Sequence, residues 1–242
     1  MRLAALVATV AAAALVLAAG AGLLYLRSLP SVADAPVRVA ATLLKHHSAP
    51  GRPPVPEKLA AAVVSVEDEH FYSNTFVNVA SGVGRAALAA LHGGGDPGGS
   101  TIPQQLAKEL YGSGSGLASE IRDLGLGMRI SMAFPRSEVL RMYLDAGYYG
   151  NGYWGFGAAA RGYFGVSPRR LTWAEATLLA GLLQAPSAYD PLHHYALARE
   201  RQRHVLDQLV ANGHLTPAQA AAAYRSGLPL TAARPGSDAA VR

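Results

Sequence analysis

The chain has 242 residues, no cysteine and a formal charge of +5. Disulfides and thiolate metal sites are therefore excluded. A modest basic excess suits anionic lipid surfaces, pyrophosphates or nucleic acid, but no Lys/Arg cluster interleaved with aromatics marks a nucleic-acid face, so no nucleic-acid partner is expected.

Residues 3–26 carry no charged side chain and are flanked by Arg2 and Arg27. Roughly 20 apolar residues span a bilayer core, so the run is long enough for a transmembrane helix. The competing reading is a cleaved signal peptide with an Ala/Gly-rich end at 18–21, but such a peptide has an apolar region of only about 7–15 residues. An uncleaved anchor over 1–27 is expected. The flanking charge is nearly symmetric and gives little orientation. Roughly 200 residues remain beyond it, enough for one well-buried domain.

Residues 28–56 read as a linker, because Pro30, Pro36, Pro50, Pro53, Pro54 and Pro56 break regular structure. A short helix fits within it at 37–46. Helices are then expected over 58–69, over the Ala-rich stretch 79–91, and over 101–111. The Gly/Pro-rich stretch 92–99 must be a loop, and 112–116 a flexible one. Residues 117–134 are helical, and Pro135 opens the next helix at its first turn, carrying Val139, Leu140, Tyr143 and Leu144 on one face. The Gly/aromatic stretch 147–157 reads as close packing without a regular element. Helical spacing returns over 171–184, ended by Pro186, and over 199–212. Thr216 caps a last helix with Pro217 at its first position. Residues 229–242 read as a disordered tail, which leaves 57–228 as the folded domain. With no period-two pattern, the fold class is all-α.

Two stretches carry the chemistry. Glu67-Asp68-Glu69-His70-Phe71 follows an apolar run and presents carboxylates at the end of a helix. In Gly98-Gly99-Ser100-Thr101-Ile102-Pro103-Gln104-Gln105-Leu106-Ala107-Lys108, glycines lead into a helix whose first turn Ser100 or Thr101 would cap. Gln104 and Lys108 lie four apart on one face of it, offering an amide and a cation to an anionic, sugar-bearing ligand.

Together these stretches resemble the first two motifs of the peptidoglycan glycosyltransferases, the family of the monofunctional transglycosylases and of the glycosyltransferase domains of class A penicillin-binding proteins. The first motif is matched by Glu67, Asp68 and Phe71. The second is matched throughout except that Pro103 replaces a threonine. Residues 143–152 are similar to a further motif, and 171–191 to the last, with Glu175, Ala180, Gly181, Leu182, Ala185, Pro186, Tyr189 and Pro191 in place. The resemblance implies a lysozyme-like fold of two helical lobes with a cleft between them. It implies polymerisation of lipid II into β-1,4 glycan strands with release of polyprenyl pyrophosphate, by a single-pass protein of the inner (cytoplasmic) membrane whose catalytic domain is extracytoplasmic. Its partners would be lipid II, the nascent strand, the membrane and other cell-wall synthesis proteins.

Residue by residue, the resemblance makes Glu67 the general base for a sugar hydroxyl and Lys108 a contact to the donor pyrophosphate. Gln104, Gln105, Ser100 and Thr101 would bind sugar or phosphate oxygens. Arg85 falls one position from a phosphate-binding arginine. Asp68 reads as a supporting or capping carboxylate, and Glu175 as a residue that stabilises the fold. The third motif, Arg-Lys-x-x-Glu, departs: an ungapped count puts Asp123 at its glutamate and Ser119-Glu120 at its basic pair, with Arg122 as the substitute cation. Asn74, Phe76 and Asn78 depart from the first motif. A divalent cation, Mg or Mn, would bridge pyrophosphate and carboxylates, although no metal-ligand cluster is visible. Two alternatives follow from the departures and the fold: a catalytically degenerate member that binds lipid II or a cell-wall partner, and a lysozyme-like hydrolase using Glu67 as an acid.

Overall fold

The computed structural model describes residues 2–48, 54–73, 100–112 and 114–231. The helix expected over 79–91, the loop at 92–99, Arg85, Asn74, Phe76 and Asn78 lie outside the described residues. Within them the chain is helical: α1 (Arg2–Ser28), α2 (Ala35–Lys45), α3 (Glu57–Glu67), α4 (Ile102–Tyr111), α5 (Leu117–Ala133), α6 (Arg136–Ala146), α7 (Phe156–Phe164), α8 (Trp173–Leu182), α9 (Tyr195–Ala211) and α10 (Pro217–Arg225), with a short 3-10 turn at Pro168–Arg170. The all-α expectation holds among the described residues, where the only extended pairing is a single bridge between Tyr148 and Trp154.

The helices assemble into two groups. In one, α3 packs on α8 and α9, and α9 carries α10. Leu59 and Val63 of α3, Leu178 and Leu179 of α8, and Val205 and Leu209 of α9 fill that core. In the other, α4 packs on α5 and α6, and α2 lies on α6. Its core includes Leu106, Leu126, Ile130, Leu140 and Leu144. Phe71, fully buried just after α3, closes the turn that leaves the first group, and the Arg136 guanidinium lies 5.4 Å from its ring.

Helix ends follow the sequence closely, with instructive differences. Thr172 with Glu175, and Thr216 with Gln219, each form a reciprocal capping box, so Glu175 stabilises the fold as expected. Pro135 is the N-cap residue of α6 instead of its first helical residue, because the chain there is still extended (ψ 148°). Helix α9 begins four residues earlier than its apolar spacing indicates, since the exposed turn after His194 carries no core residue before Ala198. The expected tail is partly docked: Thr231 donates its N–H to the Tyr163 carbonyl at 2.7 Å and its hydroxyl to Gly162 at 3.2 Å. Residues 232–242 lie outside the described residues.

Helix α1 runs 27 residues, about 40 Å at the α-helical rise. Arg129 of α5 ties down its C-terminal end by donating to the carbonyls of Leu26 and Leu29. The side chains at 2–5, 8, 11, 12 and 15 are not among those described, and among the described residues no helix is long and apolar enough to cross a membrane. The transmembrane span expected here is therefore not shown by the structure.

The contact between α4 and α5 depends on Gly127. A Cβ there would lie 2.8 Å from Gln104 Cα and 2.9 Å from Gln104 N. Backbone cannot yield as a side chain can, so the two helices would have to separate. Gly127→Ala is expected to cost about 1–3 kcal/mol and to lower the melting temperature by about 2–10 °C, measured by circular dichroism. A variant that melts with the parent would contradict this packing.

Candidate active site

Glu67 is the last residue of α3, and its carboxylate sits at the seam where the two helix groups meet. Only 10% of its side chain is exposed. Gln105 of α4 donates Nε2–H to Oε2 at 3.1 Å. Tyr143 of α6 donates its hydroxyl to Gln105 Oε1 at 2.8 Å. A carboxylate only accepts, so the orientation of the Gln105 amide is fixed from both sides. Burial first, and then the charge of Glu67, push the Tyr143 phenol well above its usual range, which keeps it a neutral donor. On the other side of the carboxylate, Arg201 Nη2 of α9 stands 3.6 Å from Oε1. That oxygen is buried and accepts no hydrogen bond.

Asp68 acts on the helix that carries Gln105. Its Oδ2 accepts the N–H of Ile102 at 3.2 Å, the first helical amide of α4. Thr101 occupies the N-cap position with extended backbone, but its side chain makes no cap bond. The cap thus comes from a carboxylate 34 residues upstream in the chain and not from Thr101. Pro103 lies in the first turn of α4, where a helix has no internal use for its missing N–H. The departure from the family motif at this position fits the helix without strain.

The far end of α4 is closed by two arginines. Arg122 donates to Gly112 O at 3.1 Å and Tyr111 O at 3.5 Å, and Arg38 of α2 donates to Leu110 O at 3.3 Å. These satisfy carbonyls that a helix C-terminus leaves unpaired. Arg122, expected from the sequence as a substitute cation, makes these contacts in the structure. The Gln105 amide bonds to Glu67, to Tyr143 and, at 3.4 Å, to the Ser100 carbonyl. It thereby orients the Glu67 carboxylate.

Lys108 is exposed on α4, and half-buried Gln104 lies one turn before it, its backbone under Gly127. Asp123 is 5% exposed on α5, and its Oδ1 has no hydrogen-bond partner; Ser119 Oγ, one turn earlier, is likewise buried and unpartnered. Among the described residues no hydrogen bond or ion pair joins Asp123 to Glu67 or Arg122. No group of three or more His, Asp or Glu among the described residues is arranged to hold a metal ion, so no step is assigned to one.

Arg201 was not singled out by the sequence. The signal was present: it lies four and eight residues before Val205 and Leu209, in register with the buried side of α9. A charged residue in that register needs a buried partner.

A sequence model of the family described as "Transglycosylase" matches residues 40–210. Among curated proteins, Penicillin-binding protein 2a of Streptococcus pneumoniae is 36% identical over 162 residues, which cover 66% of this chain and 22% of that one. Penicillin-binding protein 1A of Neisseria gonorrhoeae is 37% identical over 166 residues, 68% of this chain and 21% of that one. A Cupriavidus necator protein whose name assigns it to the transglycosylases is 37% identical over 163 residues, 67% of this chain and 70% of that one. The chain thus spans about a fifth of the length of the penicillin-binding proteins it matches. Among solved structures, Penicillin-Binding Protein 1A from Haemophilus influenzae aligns with a TM-score of 0.41 at 20% identity, covering 74% of this chain and 18% of that one.

Burial, the largest influence on Asp68, pushes its carboxyl up from the usual range, outweighing the Ile102 hydrogen bond and the charges of Arg136 and His70. Folding therefore favours the protonated acid. Its contribution to stability is fully present below the unfolded carboxyl's pKa of about 4 and is lost as pH rises through the folded value. Asp68→Asn removes this dependence. The melting temperature of the parent should fall relative to that of Asp68→Asn as pH rises above about 4. A difference that is flat or shrinks with rising pH would contradict the assignment.

Proposed function

Because this chain belongs to the transglycosylase family, the peptidoglycan glycosyltransferases, we propose that it polymerises lipid II into β-1,4 glycan strands, with Glu67 as general base. One observation carries the reading. Glu67 is held by its neighbours at one oxygen, while the other, Oε1, is left without a hydrogen bond. A base needs a free lone pair in a fixed place, and Oε1 has one. Its neighbours are an amide donor and a guanidinium, so the carboxylate is set to take a proton and not to give one. That argues against the hydrolase alternative, in which Glu67 must start protonated.

In the proposed reaction, a sugar hydroxyl of the acceptor attacks the anomeric carbon of the donor. The hydroxyl proton passes to Glu67. The bond from the anomeric carbon to the pyrophosphate oxygen breaks, and the electron pair leaves with polyprenyl pyrophosphate. Attack opposite the leaving group inverts an α-linked donor to a β product. Exposed Lys108 is suited to the charge that grows on the departing pyrophosphate. Oε1 is shielded from solvent, so the acceptor reaches it only as the seam opens locally. The uncharged run 3–26 supports a single-pass anchor in the cytoplasmic membrane, with the domain on its outer side beside lipid II, the nascent strand and other cell-wall synthesis proteins. Asp123 is proposed as the second carboxylate, its buried Oδ1 having no hydrogen-bond partner.

Polymerisation of labelled lipid II by the full-length protein in detergent tests this. Glu67→Gln is expected to lower turnover by about 100-fold or more, Lys108→Ala by about tenfold or more, and Asp123→Asn by about tenfold. Polymer from Glu67→Gln at the parental rate would exclude it as the base. No polymer from the parent, with lipid II binding intact, would assign the chain to the degenerate binding members.

A further inference from the structure

Arg201 lies on α9, away from the two stretches that carry the chemistry in the sequence. Its side chain is 11% exposed, its Nη2 stands 3.6 Å from Glu67 Oε1, and its Nε has no hydrogen-bond partner. Two features of the fold aim it there. Gln202, its fully buried neighbour, donates Nε2–H to the Ala174 carbonyl of α8 at 2.7 Å and to Thr177 Oγ1 at 3.3 Å, while Arg199 donates to Gln202 Oε1 at 2.6 Å. Those bonds fix the rotation of α9 against α8. On α8, Gly181 leaves room for the arginine stem: a Cβ there would lie 2.9 Å from Arg201 Cγ.

We propose that Arg201 is the positioning residue of the Glu67 base, holding Oε1 in place by charge while Gln105 holds Oε2 by hydrogen bond. This rests on the reading of Glu67 as base. At 3.6 Å the pair attracts without consuming a lone pair of Oε1 in a hydrogen bond. The oxygen is fixed and keeps a lone pair for an incoming hydroxyl proton. Truncating the arginine leaves a buried carboxylate held on one side only.

The test measures kcat and KM for lipid II polymerisation, with melting temperatures, for the full-length parent, Arg201→Gln, Arg201→Lys, Gly181→Ala and Glu67→Gln. Arg201→Gln should lower kcat by about 10–100-fold, the scale of a misplaced catalytic group, with KM changed less than about twofold. Arg201→Lys, which keeps the charge, should recover most of that loss. Gly181→Ala, which pushes on the arginine stem while retaining the guanidinium, should lower kcat in the same sense.

Parental kcat in Arg201→Gln would overturn the proposal. So would a rise in KM with kcat intact, which would make Arg201 a substrate contact. Equal losses in the Lys and Gln variants that track their melting temperatures would reduce it to a packing residue. Activity retained by Glu67→Gln would overturn the base reading and this proposal together, whereas an inactive Glu67→Gln beside a fully active Arg201→Gln would overturn this proposal alone.

Discussion

The structure is organised around one buried carboxylate at a seam. Helix α3 belongs to one group of helices, and its last residue, Glu67, reaches the other through Gln105. A carboxylate withdrawn from water is costly unless donors and positive charge replace its hydration. Here Gln105 supplies the donor and Arg201 the charge, one from each helix group. The satisfaction of a single acid thus fixes the relation of α3, α4, α6 and α9, since Tyr143 of α6 holds the Gln105 amide.

The remainder of the second group serves to hold α4 still. Asp68 caps its first amide, Arg122 and Arg38 close its last carbonyls, and Gly127 allows α5 to press on its first turn. Residues adjacent in sequence therefore divide the work: Glu67 is the proposed base, and Asp68 secures the helix that orients it. Such rigidity suits a base that must meet a hydroxyl at a defined angle.

Much of this was legible in the sequence, and what was not has physical causes. The starts of α6, α8 and α10 are placed to within two residues because threonine and proline mark them. Asp68 as a capping carboxylate and Glu175 as a fold-stabilising one were both readable from their positions. The contacts of Gln105 and Arg122 were not, because a motif states which side chain is present and not which partner it faces. Arg122 turns to the carbonyls of α4 because adjacent helix residues point about 100° apart, and Asp123 takes the buried side. Arg201 was missed because its partner is distant in sequence; only its place in the buried register of α9 betrays it. The anchor expected over 1–27 rests on composition, and the described residues do not show a span.

The central claim is that Glu67 takes a proton from a sugar hydroxyl while pyrophosphate departs. It is tested most directly by product stoichiometry. Lipid II labelled in both sugar and lipid is incubated with the full-length protein, and new glycosidic bonds, released polyprenyl pyrophosphate and free reducing ends are counted. Glycosyl transfer predicts one new β-1,4 bond for each pyrophosphate released and no free reducing sugar. Pyrophosphate release matched by free reducing ends would show that water is the acceptor, and would contradict the account.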